Sequence, residues 1–297
     1  MNQVKLDAKH KGILLIMLSA LCFAGMNAFV RLSGDVPTMQ KSFFRNLIAL
    51  MLATAVILRE GGSFRPTHRA NWKFLLARSC FGMVGVLGNF YALDYLLLSD
   101  ASMLNKMSPF FAVIASFFIL KEKLNPVQAV SLVGAFAGAM LIVKPTFSNL
   151  NLIPALAGFA GGIGAGVAYT FVRLLGQKGE KGSFIVFFFS AFSCVVMLPK
   201  VVLDFAPMTL NQTLCLLGAG VCAAGGQFTI TGAYQCAPAR EISVFDYSQV
   251  IFAAVLGFFL FGDVPDVYSF IGYVLICGMA VLNFLHNNGH LSRNKRN

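Results

Sequence analysis

Lys106 and Asp246 are the two residues of this chain whose chemistry fits least well with their surroundings. Lys106 lies in YALDYLLLSDASMLNKMSPFFAVIASFFILKEKL, Tyr91 to Leu124, an apolar stretch long enough to cross a bilayer. Ser102, Asn105, Lys106 and Pro109 stand at i, i+3, i+4 and i+7, which is one stripe of a helix. Adding 141 to each number gives Ser243, Asp246, Tyr247 and Val250, with Phe258-Phe259 under Phe117-Phe118, so the polar stripe is repeated. An ionisable group inside an apolar span is costly unless it meets a partner charge, protein or a wet cavity. Each residue alone is explained as well by pairing with a neighbouring helix. Two stripes at matching positions point to one cavity lined by both helices. A carboxylate such as Asp246, taken out of water there, suits proton exchange or the binding of a cationic group.

Other polar residues in apolar segments extend this picture. Lys41 and Arg45 stand one turn apart, with Arg45 about 10 Å below one membrane surface at 1.5 Å per residue. Asp94 is the expected counter-charge for Arg45 and Lys106, and a second proton-coupling candidate beside Asp246. Arg45 and Arg78 read as structural charges, Arg78 lying close enough to a segment end to snorkel. Tyr91, Tyr247, Asn89, Asn105, Gln227 and Gln249 could supply directional contacts to a bound molecule, together with Ser102, Ser243 and Lys106. Asp100 and Glu241 open their helices and are expected to cap them. Pro109 is expected to kink its helix beside the stripe. The glycines of the apolar segments read as close-packing positions, and no GK[ST] follows to make a phosphate loop. The Phe residues, Phe187 to Phe189 included, read as packing and lipid contact.

These residues need spanning helices to hold them. With 57% hydrophobic and 12% charged residues and a mean hydropathy of +0.74, the chain belongs in a bilayer. About 20 apolar residues cross the hydrocarbon core. Ten segments qualify: Gly12 to Leu32, Thr38 to Leu58, Asn71 to Leu97, Asp100 to Leu120, Pro126 to Val143, Ile153 to Leu175, Ser183 to Leu203, Asn211 to Tyr234, Glu241 to Phe261 and Val267 to Leu285. The first is too long for a signal peptide and is expected to stay uncleaved. Sixteen Lys and Arg fall on the side of the termini and only Arg31, Lys41, Lys144 and Lys200 opposite, which predicts cytoplasmic termini in a cytoplasmic (inner) membrane.

The same distribution argues against a nucleic-acid partner, because the net charge of +11 is spread over short loops. Seven cysteines in apolar segments, with no CxxC, read as core residues. Four histidines in tails and a basic loop cannot assemble a metal or catalytic centre within the membrane, so no cofactor, metal or catalytic residue is expected.

NAFVRLSG, Asn27 to Gly34, and YTFVRLLG, Tyr169 to Gly176, show the duplication outside the stripes. The expected organisation is a tail 1–11, a five-helix repeat 12–145, a linker 146–152, a second repeat 153–286 and a tail 287–297, both tails disordered. An odd number of spans inserts the second repeat upside down, the architecture in which one midplane site opens alternately to either side. The fold expected is therefore all-α and integral to the membrane, ten helices in two inverted repeats.

Over nearly its whole length the chain resembles the EamA family of the drug/metabolite transporter superfamily. The resemblance rests on the duplicated five-helix unit, on VPTMQKSFFRN with Arg45 at the family's recurring arginine, and on the Tyr91–Leu124 stretch followed by GAFAGAMLIVKP. The second copy, GAYQCAPAREISVFDYSQVIFAAVLGFFLFGDVPD, matches more loosely and lacks the proline at Val250. The resemblance implies a secondary carrier with a cavity lined by helices 1, 3, 4, 6, 8 and 9, in a family whose cargoes include S-adenosylmethionine, riboflavin and amino acids. Its expected partners are a small polar or amphoteric metabolite and the lipid bilayer, with coupling to protons or exchange, and the chain acting as a monomer or homodimer. The competing readings are an integral-membrane enzyme acting on lipid-linked groups and a passive channel or scaffold. The first lacks the acidic or histidine clusters such sites use.

Overall fold

The computed structural model describes residues 2–121, 126–143, 152–237, 242 and 245–287. Among these the regular elements are all helical: α1 (Asn2–Leu32), α2 (Thr38–Arg59), a 3-10 turn (Arg69–Asn71), α3 (Trp72–Leu93), α4 (Leu98–Asn105), α5 (Ser108–Ile119), α6 (Pro126–Val143), α7 (Leu152–Gln177), α8 (Gly182–Leu203), α9 (Leu210–Cys236), α10 (Ser248–Phe261) and α11 (Val267–Asn287). Eight helical segments are long and apolar enough to span a membrane, Leu98–Ile119 counting as one, and the apolar helices at Ala129–Gly138 and Ser248–Phe261 are shorter. The N-terminal residues expected to be disordered continue α1 from Asn2, because Lys, Leu and Ala carry a helix readily. Ser243, Glu241, most of the 146–152 linker and the tail beyond Asn287 lie outside the described residues.

Packing follows the duplication. α1 lies along α9, α3 along α7, α2 on α8, and α6 on α11 (Val267–Asn287); α5 packs on α7, and α1 on α10 (Ser248–Phe261). Exchanging α1 with α7, α3 with α9 and α5 with α10 turns α1–α9 into α3–α7 and α5–α7 into α1–α10, while α2–α8 and α6–α11 each join corresponding helices of the two halves. Small residues allow the closest approaches, since lipid gives helices no hydrophobic drive to associate. At Gly88 of α3 an added Cβ would lie 2.3 Å from the Ala157 carbonyl oxygen of α7. Large apolar side chains such as Met51, Phe118, Val195, Val202 and Phe259 are left on the outside of the bundle.

The expected kink takes the form of a break two residues before Pro109. α4 ends at Asn105, and Lys106 and Met107 separate it from α5, whose first turn holds Pro109. A continuous helix would drive the proline ring into the Asn105 carbonyl, whereas in a first turn its missing N–H has no partner to lose. The second stripe breaks at the matching place, with Tyr247 as the N-cap residue of α10. Here no proline acts; Ser248 Oγ donates to the Phe245 carbonyl at 2.7 Å. Asp100, expected as a cap, sits in the first turn of α4 and accepts the Tyr273 hydroxyl, while the N-cap residue is Leu97.

Candidate functional site

The two breaks meet. Lys106 Nζ lies 2.7 Å from the Asp246 carboxylate, with side chains 2% and 0% exposed. The pair therefore ties the break of the first stripe to that of the second, inside protein and away from lipid. Tyr247, next to Asp246, is buried edge-on to Phe110, its hydroxyl without a hydrogen-bond partner.

Beside this junction lies a chamber lined by α1, α2, α3, α7, α8 and α9, with Asn105 from the α4 end and Gln249 from α10. Its free volume is about 50 Å³, room for about three or four waters. Asn89 Nδ2 donates to Asn27 Oδ1 at 3.1 Å, and Asn27 Nδ2 donates to Ser102 Oγ at 3.2 Å. This relay ties α3, α1 and α4 together at the chamber wall. Gln227 accepts from Arg78 Nη2 at 3.0 Å.

Arg45 and Arg78 both reach this chamber. Arg78 does not snorkel: it is 2% exposed and lies 3.8 Å from the centre of the Phe189 ring. Arg45 is 1% exposed, 5.9 Å from the same ring, and donates to Asn46 Oδ1 at 2.8 Å. Phe189, read from the sequence as packing or lipid contact, is a buried wall between helices. Asp94 is not the counter-charge of Arg45 or Lys106. It sits near the bundle's end with Lys41 Nζ at 2.5 Å and Thr38 Oγ1 at 2.9 Å. Its position at the very end of α3 leaves it too far along the axis for the chamber. Tyr91, expected in the site, is half-buried against Tyr95 and does not line it.

Among the lining residues that the sequence reading did not place in the site are Asn27, Tyr169 and Phe189. A signal existed for two of them. Asn27 and Tyr169 are the first residues of NAFVRLSG and YTFVRLLG, the repeated octapeptides, so the duplication gives them corresponding places in the two halves. Tyr169 also stacks on Tyr234, with ring centres 5.1 Å apart. Phe189 had none, being one of 30 phenylalanines.

Polar contacts join helices near both ends of the bundle. At the end bearing Arg31, its guanidinium pairs with Asp263 and lies 4.3 Å over Phe261, and the Leu98 amide donates to Asp263 at 3.0 Å. At the opposite end Glu180 accepts from the Thr67 amide at 3.1 Å and from Asn71 Nδ2 at 2.9 Å, and Ser183 donates to Glu60 at 2.9 Å.

The sequence profile of the EamA-like transporter family matches residues 10–144 and again residues 152–285. The chain belongs to the EamA-like transporter family. It is a transporter of the drug/metabolite type and a multi-pass membrane protein. Its EamA-like relatives include a pseudopaline exporter, CntI, of Pseudomonas aeruginosa, 32% identical over 273 residues, 91% of this chain and 95% of that protein. Human solute carrier family 35 member G1 is 26% identical over 285 residues, 91% and 78% of the two chains. A crystal structure 18% identical to the chain covers 93% of it and 98% of its own length with a TM-score of 0.71, which is likeness of fold.

Proposed function

We propose that this EamA-like chain is a secondary carrier that moves a small polar or amphoteric metabolite across the cytoplasmic membrane by alternating access. The observation that carries this reading is a chamber with buried arginines and amides in its wall at the meeting of two broken helices, with polar contacts near both bundle ends that can part without unfolding a helix. Broken helices around a midplane site, related by a repeat, are how many carriers hold cargo. The exchangeable packing pairs, the matched breaks and the double match to the family profile support two five-span repeats. Five spans per repeat invert the second relative to the first. Ten crossings then put both termini on the cytoplasmic side, where most Lys and Arg fall, and the Arg31–Asp263 contact on the outer side.

In this reading Asp246 is the coupling residue. A proton on its carboxylate cancels the attraction to Lys106, frees the ammonium and loosens the join between the two breaks, so protonation and rearrangement are linked. Lys106, Asn105, Ser102, Asn89, Gln227 and Gln249 then hold or position the cargo, and the chain works as a monomer or homodimer. Asp94, at the outer end, serves the outer closure with Lys41. That a relative in Pseudomonas aeruginosa is an exporter of pseudopaline supports a metabolite cargo.

The test begins with a metabolite library screened for thermal stabilisation of the purified protein, because a ligand that binds only the folded state raises its apparent stability. Stabilising compounds are then assayed for counterflow in proteoliposomes. Saturable exchange that Asp246→Asn abolishes or uncouples from pH is expected, with the variant still folded. Absence of saturable exchange for every stabilising compound would remove the carrier reading, and an unchanged pH profile in the variant would remove Asp246 from the coupling role.

A further inference from the structure

The chamber's charges do not balance. Among the described residues no Asp or Glu lines it, and Asp246 at the adjoining junction is taken by Lys106. Among the described residues neither Arg45 nor Arg78 stands in an ion pair, although both are almost wholly buried. Arg45 Nε, and Arg78 Nε and Nη1, have no hydrogen-bond partner. What the two guanidiniums do have is the face of Phe189 and one amide oxygen each, from Asn46 and Gln227. Buried like charges kept close together without a counter-ion are costly, and the cost is relieved by an anion that accepts from their free N–H groups. A guanidinium fork is also the side chain best shaped to take an oxyanion with two parallel hydrogen bonds.

The surroundings keep Arg78 in place. An added Cβ on Gly82 would sit 2.6 Å from Arg78 Nη1 and 3.0 Å from the Phe189 ring, so a side chain there would push the guanidinium from its present place on that ring. Around the arginines the lining divides into an apolar part, Phe23, Met26, Val86 and Phe90, and amides without a full set of partners, such as Asn89 Oδ1 and Gln249 Oε1.

We propose that Arg45 and Arg78, gathered on Phe189, form an oxyanion site, and that the cargo is an organic acid of net negative charge. One carboxylate lies between the guanidiniums, the organic body lies against Phe23 and Met26, and any amino or amide group meets Asn89 and Gln249. This rests on the carrier reading for its location and adds the charge class of the cargo.

The test uses the full chain purified in detergent, with succinate, succinamide, inorganic phosphate and putrescine as probes, each against sodium chloride of equal ionic strength. Succinate is expected to raise the unfolding midpoint by about 5 °C at a concentration near 100 times its Kd, with succinamide and putrescine without effect. Arg78→Gln is expected to raise the succinate Kd by about 10- to 100-fold, the loss of a charge-assisted pair. Gly82→Ala, which displaces Arg78 without removing it, should weaken binding in the same direction, and Arg78→Lys should retain part of it. No stabilisation by succinate beyond sodium chloride, equal stabilisation by succinamide, a response to phosphate alone, or a succinate response unchanged in Arg78→Gln and Gly82→Ala would each overturn the assignment. Saturable counterflow of neutral or cationic compounds only would leave the carrier standing without its oxyanion site. Succinate binding without counterflow of any compound would do the opposite.

Discussion

The two helix breaks are copies of one another built by different means. In the first, Pro109 makes a continuous helix impossible and Lys106 is left at the gap; in the second, Val250 replaces the proline and the Ser248 hydroxyl takes up the Phe245 carbonyl. The charges have also been divided. Asn105 and Lys106 of the first copy match Asp246 and Tyr247 of the second, so one copy keeps the cation and the other the anion, and the 2.7 Å pair joins them. Duplication placed two weak points at one depth, and divergence between the copies turned them into a single electrostatic junction.

The largest effect should come from severing that junction. Asp246→Ala leaves the Lys106 ammonium buried without a partner, and a loss of about 3–5 kcal/mol is expected by thermal or denaturant unfolding. Lys106→Met combined with Asp246→Leu should recover most of it, because two apolar side chains replace the pair. A double variant as unstable as the single one would show that the breaks need charge as well as bulk.

Two glycines contrast the seat of the first break with the packing of α1 on α9. An added Cβ at Gly162 of α7 would lie 2.5 Å from the Leu104 carbonyl oxygen, backbone of the broken helix itself, while one at Gly225 of α9 would meet the Cys22 side chain, its sulfur at 3.2 Å. Gly162→Ala should cost about 1–3 kcal/mol through overpacking. Gly225→Ala should be close to neutral, since the gain in helix propensity offsets a contact that a flexible side chain can relieve. Equal melting points for the two variants would mean that the broken helix is seated no more tightly on α7 than α1 is on α9.

Smaller differences separate the breaks themselves. Val250→Pro removes the Val250 N–H that donates to the Tyr247 carbonyl at 3.0 Å and should cost about 1 kcal/mol. Pro109→Ala should change stability by less than about 1 kcal/mol, the proline having no hydrogen bond to restore. At the bottom of the scale, Lys200→Ala, which opens the exposed Lys200–Asp204 pair, should shift stability by under about 0.5 kcal/mol. A larger change there would give that end of α8 a contact beyond its ion pair.

Much of this was legible in the chain. Apolar runs of spanning length, the Lys and Arg distribution and the near-identity of NAFVRLSG and YTFVRLLG depend on local composition and order, and they gave the helices, the family resemblance and the candidacy of Lys106, Asp246, Asn89, Gln227 and Gln249. Who pairs with whom did not follow. Lys106 could have met Asp94 or Asp246, and a helical register fixes the face of a residue but not its depth against a helix more than a hundred residues away.

The amino-acid order by itself determined that this protein lies in a membrane, that it is built from a duplicated helical unit, and that charges are set inside two of its spans. Only tertiary structure decided that Lys106 takes Asp246, that Asp94 goes to Lys41, and that Arg45 and Arg78 converge on Phe189 without an ion-pair partner among the described residues. The physical reason is range: hydrophobic periodicity and capping act over a few residues, whereas a buried charge is balanced or left unbalanced by whatever the packing of distant helices brings within hydrogen-bond distance.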